Sequence, residues 1–322
     1  MEKSLMLSAN LDLQPKYIIQ ICKQVEEKGL SGIWFGETTL RDAGILATIA
    51  ALNTRFAQIG TSIVNVYTRS PGQLAMMGCT LNEISEGRFT LGLGVSTPAI
   101  VSNWHGIEYG NPLKRLIETL EILKLYFSGE KFEFKGKYFT IKNARLRLKS
   151  KPKLALAALN NTMIKIATRY ADRIILNLYS VRLIKEAIKV VEEESRKIGK
   201  VRPTLSVMLY TYLLGTQEKD YEAAKELIAF YGSSEAYSKL FSRAGFKEEA
   251  RNMLRAWELG NKDMVKKSIS DKMIRELLAF GEKKELIERI KQYHESGVED
   301  VFIAPFPFGD VQSNIKVILD SI

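Results

Sequence analysis

Short apolar runs alternate with amphipathic stretches along almost the whole chain. Ser4 to Ala9 reads as a first strand. Ile18, Ile21, Cys22 and Val25 then recur at helical spacing, with Gly29 where a C-cap is expected. Gly32 to Gly36 is a second strand, followed by an Ala/Leu/Ile-rich helix near 44–57, and Ile59 to Val66 a third. Ser70-Pro71-Gly72-Gln73 spells a helix start. Ser70 is the N-cap, Pro71 takes the first helical position and Gln73 completes a capping box. That helix should stop near Gly87, before a fourth strand, Phe89 to Val95. Leu113, Leu116, Ile117, Leu120, Leu123 and Phe127 form an apolar helical stripe.

The rhythm then changes. Glu130 to Leu148 alternates around Gly136-Lys137 and predicts a hairpin inserted into the series. Strands resume at Leu154–Ala158 and Arg173–Leu178. After a helix ending at Gly199 comes a seventh strand, Thr204 to Leu214. Residues 220–295 read as helical and polar, too long for one crossover helix. Val301 to Ala304 is an eighth strand and Asp310 to Ile322 a closing helix.

Eight strands, mostly followed by helices, predict a parallel sheet, because parallel strands need crossovers. The fold class is therefore α/β, a (β/α)8 TIM barrel of about 250 residues with two excursions. These are a β-hairpin near 129–150 and a helical insertion near 231–280. The chain, 1–322, reads as one domain. A doubly wound open sheet is the alternative, although no G-x-G-x-x-G follows the first strand.

Composition narrows the chemistry. Two cysteines and two histidines, all isolated, argue against a zinc ribbon, an iron–sulfur cluster or a disulfide scaffold, and no metal site is expected. So few nucleophile–base partners point to chemistry carried by a bound organic cofactor. The charge is 47 − 37 = +10. That suits an anionic ligand, but scattered solvated Lys and Arg also produce it. No recognition motif accompanies the charge, so nucleic acid is not expected as a partner. The alternating Arg145, Arg147, Lys149, Lys151 and Lys153 reads as one exposed strand face. No apolar run approaches the roughly 18 residues of a membrane span. The first 14 residues are too short and polar for a signal peptide. The expectation is a cytoplasmic protein acting on a small-molecule substrate, with no membrane partner.

In such barrels the site lies at the strand C-termini. Those ends carry Ser8-Ala9-Asn10, Gly36-Glu37-Thr38, Asn65 to Arg69, Gly92-Leu93-Gly94-Val95-Ser96, Ala158-Leu159-Asn160-Asn161 and Asn177-Leu178. Gly92 and Gly94 either admit a ring closely or relieve crowding inside the barrel. Glu37 either orients a ligand or forms an ion pair with Arg41 or another loop residue. Asn160-Asn161-Thr162 either receives a phosphate at a helix start or is an ordinary N-cap. His105 is either an acid–base or a plain loop residue. His294 reads as a helix C-terminal residue, and Cys22 and Cys79 as small buried hydrophobes.

Three segments together resemble the bacterial luciferase-like family. They are Gly32-Ile33-Trp34-Phe35-Gly36-Glu37, Asn65-Val66-Tyr67-Thr68-Arg69-Ser70-Pro71 and Leu81 through Gly94. Within the family they are most similar to the F420-dependent branch that contains the methylene-pterin reductases. The resemblance implies a deazaflavin, F420, laid across the strand C-termini. It also implies hydride transfer to or from a pterin-type or other small organic substrate. It places a non-prolyl cis bond at Ser62–Ile63, with Asn65, Gly94 and Val95 beside the ring. Phosphate contacts fall at Ala158, Leu159, Asn160, Asn177 and Leu178. Glu37 stands where relatives often carry Asp. The proton-donor position of the pterin branch falls at about Ser8, which is no carboxylate. Asn160-Asn161 replaces a frequent Gly-Pro, and Arg173 a frequent Gly. Members of the class are commonly homodimers. The alternatives are an FMN-dependent monooxygenase of the same family and a flavin-binding barrel without catalysis.

Overall fold

The computed structural model describes residues 2–322. It begins with β1 (Glu2–Leu7), α1 (Pro15–Glu27), β2 (Gly32–Phe35), α2 (Ala43–Asn53), β3 (Gln58–Thr61), β4 (Val64–Asn65), α3 (Pro71–Ile84) and β5 (Phe89–Gly94). A short π-helix, Ala99–Trp104, leads into α4 (Pro112–Ser128) and the hairpin β6 (Phe132–Lys135) and β7 (Thr140–Ala144). Next come β8 (Lys153–Ala158), α5 (Asn161–Tyr170), β9 (Arg173–Asn177), α6 (Val181–Ile198) and β10 (Thr204–Tyr212). Five helices follow: α7 (Glu218–Gly232), α8 (Glu235–Arg243), α9 (Lys247–Glu258), α10 (Lys262–Lys267) and α11 (Asp271–Leu277). The chain ends with β11 (Ala279–Phe280), α12 (Lys283–Glu295), β12 (Asp300–Pro305) and α13 (Val311–Ser321).

The sheet closes. β12 pairs with β1, the ladder continues through β2, β3, β5, β8 and β9, and β9 pairs with β10, which returns to β12; every pairing is parallel. This is a (β/α)8 barrel, and the open-sheet alternative fails because no edge remains. β3 and β4 are one barrel strand interrupted at Ser62–Ile63, whose peptide bond is cis. Where the ladder breaks, Thr61 Oγ1 bridges it. The hydroxyl donates to the Gly92 carbonyl and accepts from the Gly92 N–H, both at 2.8 Å.

Neighbouring parallel strands share a face at paired residues. Arg173, Asp300, Ser206 and Ser4 meet inside the lower barrel. Arg173 Nη1 donates to Asp300 Oδ2 at 2.8 Å and to Ser206 Oγ at 2.6 Å, and Ser4 Oγ donates to the same Asp300 oxygen. The Arg173 guanidinium lies over the rings of Trp34 and Phe302, at 5.2 and 5.7 Å. Arg173 therefore fills the barrel floor. Alternation from this layer carries the inward face to Ser8, Gly94, Asn177 and Tyr210 at the C-terminal rim.

Several boundaries differ from the sequence reading. The helix expected to 57 stops at Asn53. Arg88 holds the bend behind it, donating to the carbonyls of Thr54 and Ala57. The seventh strand ends at Tyr212. Residues 145–152 lie outside any strand, so the basic alternation is an exposed extended face that enters the sheet only at Lys153. The hairpin is tied to the barrel by buried Glu118 of α4. Its carboxylate accepts the Lys137 and Tyr138 N–H groups at 2.8 Å each. Residues 220–295 hold six helices and the short β11, which pairs with the end of β10.

Candidate active site at the barrel mouth

Buried polar side-chain atoms nearly always find partners. Here several without one gather at strand C-terminal ends: Ser8 Oγ, Ser62 Oγ, Thr68 Oγ1 and Asn177 Oδ1, with Ser180 Oγ at the N-cap of α6. Two bulky or polar residues just past strand ends, Ser96 and Leu178, adopt left-handed backbone with φ of 55° and 53°. Such strain persists only where the surroundings over-determine it, and it clusters at ligand sites.

Ser62 and Ile63 form the cis step between β3 and β4. Asn65 is buried, and its Oδ1 accepts the N–H groups of Tyr67 and Thr68 at 3.0 Å each. That bond turns the chain into α3. Gly94 faces Ile63: a Cβ there would come within 2.9 Å of the isoleucine side chain. A Cβ on Gly92 would meet the Thr61 carbonyl at 1.7 Å, so Gly92 answers to strand crowding. Val95 is half-buried, Ala158 and Leu178 are buried, and Leu159 and Asn160 lie on the β8–α5 turn. Asn160 Oδ1 accepts the Met163 N–H, an ordinary N-cap.

Glu37 does not pair with Arg41, which binds Asp12 instead. Arg69 donates to both Glu37 oxygens, at 2.6 and 2.8 Å, and also binds Asp42. The Ala43 N–H donates to Glu37 Oε2 at 3.0 Å. The carboxylate is thus fully engaged, and its hydrogen-bonding sets the β2–α2 turn against the β4–α3 turn. Beside it runs a cavity of about 880 Å³, lined by Arg69, Ile45, Met76, Trp104 and exposed His105. Ser8, by contrast, keeps an unspent hydroxyl at the rim. Cys22 and Cys79 are buried, and burial pushes their thiols up to about 12 and about 11, so both stay protonated. His294 ends α12 with Nδ1 2.9 Å from the Val298 carbonyl.

A phenol cluster went unseen in the sequence. Tyr210 of β10, Tyr231 of α7 and Tyr237 of α8 surround Asn177. Asn177 Nδ2 donates to Tyr237 Oη at 2.6 Å, and the hydroxyls of Tyr210 and Tyr231 bond to each other. The ring centroids of Tyr231 and Tyr237 lie 4.7 Å apart. Burial pushes the phenols of Tyr210 and Tyr237 well above their usual range and that of Tyr231 up as well, so all three remain protonated. One strand tyrosine and two tyrosines on successive helices share no period that a sequence pattern would flag.

Among the described residues no cluster of His, Cys, Asp and Glu gathers as a metal site, and no helix is long and apolar enough to cross a membrane.

Comparison with known proteins places this geometry. A curated 5,10-methylenetetrahydromethanopterin reductase from Archaeoglobus fulgidus is 29% identical over 307 residues, 92% of this chain and 91% of that protein. The solved coenzyme F420-dependent tetrahydromethanopterin reductase from Methanopyrus kandleri superposes with a TM-score of 0.83 at 22% identity, over 100% of this chain and 98% of that one. An F420-dependent secondary alcohol dehydrogenase, solved with an F420–acetone adduct, gives 0.79 at 18% identity with the same coverage. The family model for luciferase-like monooxygenases matches residues 3–300, and the chain belongs to that family.

Proposed function

We propose that this protein is an F420-dependent oxidoreductase that moves a hydride between the deazaflavin and a small organic substrate, of pterin type or carrying an alcohol or carbonyl. The observation that carries the reading is the full-length likeness to an A. fulgidus reductase and to F420-dependent enzymes of the same fold. The residues at the rim fit such a group. Ser62 and Ile63 would back the ring, with Asn65, Gly94 and Val95 around it. Gly94 supplies close approach, because any Cβ would crowd Ile63. Ala158, Leu159, Asn160 and Leu178 would take the phosphate end, where α5 and α6 both begin, while Asn177, placed there by the resemblance, turns its side chain to Tyr237 instead. Helix N-termini favour anions, and Ser180 adds an unpaired hydroxyl there. When bound, the deazaflavin supplies the hydride chemistry. The protein orients the two reactants and excludes water. Glu37, held by Arg69, would act by positioning the rim, and Ser8 by offering a hydroxyl to the substrate.

We also assign a homodimer. Helix α2 is apolar almost all round, yet it exposes Ile45 and Leu52, and neighbouring α3 exposes Met76 and Ile84. An apolar helix of that kind is normally covered, and a second copy meeting the same face in two-fold symmetry would cover both.

Titration with F420 and with FMN, read by ligand fluorescence, tests the cofactor. Single-turnover assays with methylene-tetrahydromethanopterin and with secondary alcohols follow. Tight F420 binding with turnover is the expected result. Tight FMN binding without F420 binding favours the monooxygenase reading and overturns this one. F420 binding without turnover of any substrate favours a barrel without catalysis.

A further inference from the structure

We infer that Tyr231, Tyr237 and Asn177 form a neutral donor subsite at the barrel mouth that takes a carbonyl or carbinol oxygen of the substrate. The inference deepens the oxidoreductase reading and rests on it. It begins with an account of protons. Tyr210 is almost fully buried and its hydroxyl meets only that of Tyr231. Tyr210 therefore donates, and the proton of half-buried Tyr231 is left free. Tyr237 accepts from Asn177 and keeps its own proton. Asn177 Oδ1 has no partner, and turning the amide over would only leave its nitrogen unpaired instead. Two O–H donors and one amide atom are thus unspent in one place.

The position is right for substrate. Asn177 and Tyr210 lie on the inward face at the strand ends, and β10 exits at that rim into α7, which carries Tyr231. The helical insertion therefore delivers two of the phenols to the mouth.

The chemistry selects oxygen. The groups acting on the three phenols are one another, Asn177 and Tyr179, none of them ionised. Neutral donors in a desolvated place stabilise an oxygen that gains negative charge, such as a carbonyl being reduced. They offer nothing to a cationic iminium carbon, which would call for a carboxylate. Three carboxylates near the rim are engaged elsewhere. Glu37 is held by Arg69, Asp42 caps α2 and binds Arg69, and Asp220 accepts from Tyr212 Oη at 2.6 Å.

The probe is 4-nitrophenol, whose absorbance separates the anion from the neutral form, titrated into the protein without cofactor at a pH below its free pKa. The wild type should bind it as the anion, with its apparent pKa lowered by about one unit. Y231F and Y237F should each weaken anion binding about tenfold, the size of one hydrogen bond to a charged oxygen. Both variants keep ring packing, and their thermal melting and F420 affinity should match wild type. No anion band in the wild type, or equal anion binding by both variants, overturns the subsite. Failure of F420 to bind the wild type overturns the oxidoreductase reading separately, because the nitrophenol band is read without cofactor.

Discussion

Arg69 grips both carboxylate oxygens of Glu37, Nη1 to Oε1 at 2.6 Å and Nη2 to Oε2 at 2.8 Å, with both side chains largely buried. The pair joins the β2–α2 turn to the β4–α3 turn. Glu37→Ala should therefore destabilise the fold by about 2–3 kcal/mol, because a mostly buried guanidinium loses its bidentate partner. Glu37→Gln should cost less. Urea unfolding measures both. A Glu37→Gln protein with an unchanged unfolding midpoint and no turnover would instead make Glu37 an acid–base group.

The barrel floor makes stability depend on pH. Burial raises the Asp300 carboxyl to about 6, against the lowering pull of Arg173. A carboxyl with a folded pKa above its unfolded one binds more protons when folded. Stability should fall as pH rises from about 4 to about 6, by about 3 kcal/mol in all, and then level off. Asp300→Asn should remove this slope. Unfolding midpoints of both proteins at pH 4.5 and 7 check it, and parallel slopes would contradict it.

The two glycines of β5 should behave differently. In Gly92→Ala the new Cβ would meet a backbone carbonyl at 1.7 Å, which cannot step aside. A loss of roughly 3 kcal/mol or more, or insoluble protein, is expected. In Gly94→Ala the Cβ meets the side chain of Ile63 at 2.9 Å, which can shift. That variant should fold, with F420 affinity reduced about tenfold, the equivalent of about 1.4 kcal/mol. Equal affinity in Gly94→Ala and wild type would remove Gly94 from the ring site.

Charge placed on the exposed face of α2 and α3 should separate the dimer. Ile45→Lys with Met76→Lys should elute as a monomer in light-scattering chromatography, with the circular-dichroism spectrum of the folded barrel kept, since both side chains are exposed on the protomer. A wild type that is itself monomeric at micromolar concentration would refute the dimer.

Local patterns carried much of the fold. Ser70 and Gln73 form the capping box that their spacing predicts, and Gly29, Gly129 and Gly199 adopt the left-handed backbone that ends a helix. The eight barrel strands were legible because apolar runs between amphipathic helices report burial on both faces. The end of α2 was not, because the bend at residues 54–57 is held by Arg88, more than thirty positions away.

By itself the sequence determined the parallel barrel, its hairpin and helical excursions, and the scarcity of acid–base side chains at the strand ends. Periodicity tells which face of an element is buried, and that is enough to order the barrel. It does not tell which distant side chain a buried group will meet. Only the tertiary structure decided that Glu37 belongs to Arg69, 32 residues on, rather than to Arg41. Only it brought Asn177, Tyr210, Tyr231 and Tyr237 together from two strands and two helices. Hydrogen bonds between buried groups depend on approach to about 3 Å, and closing the barrel is what sets that approach.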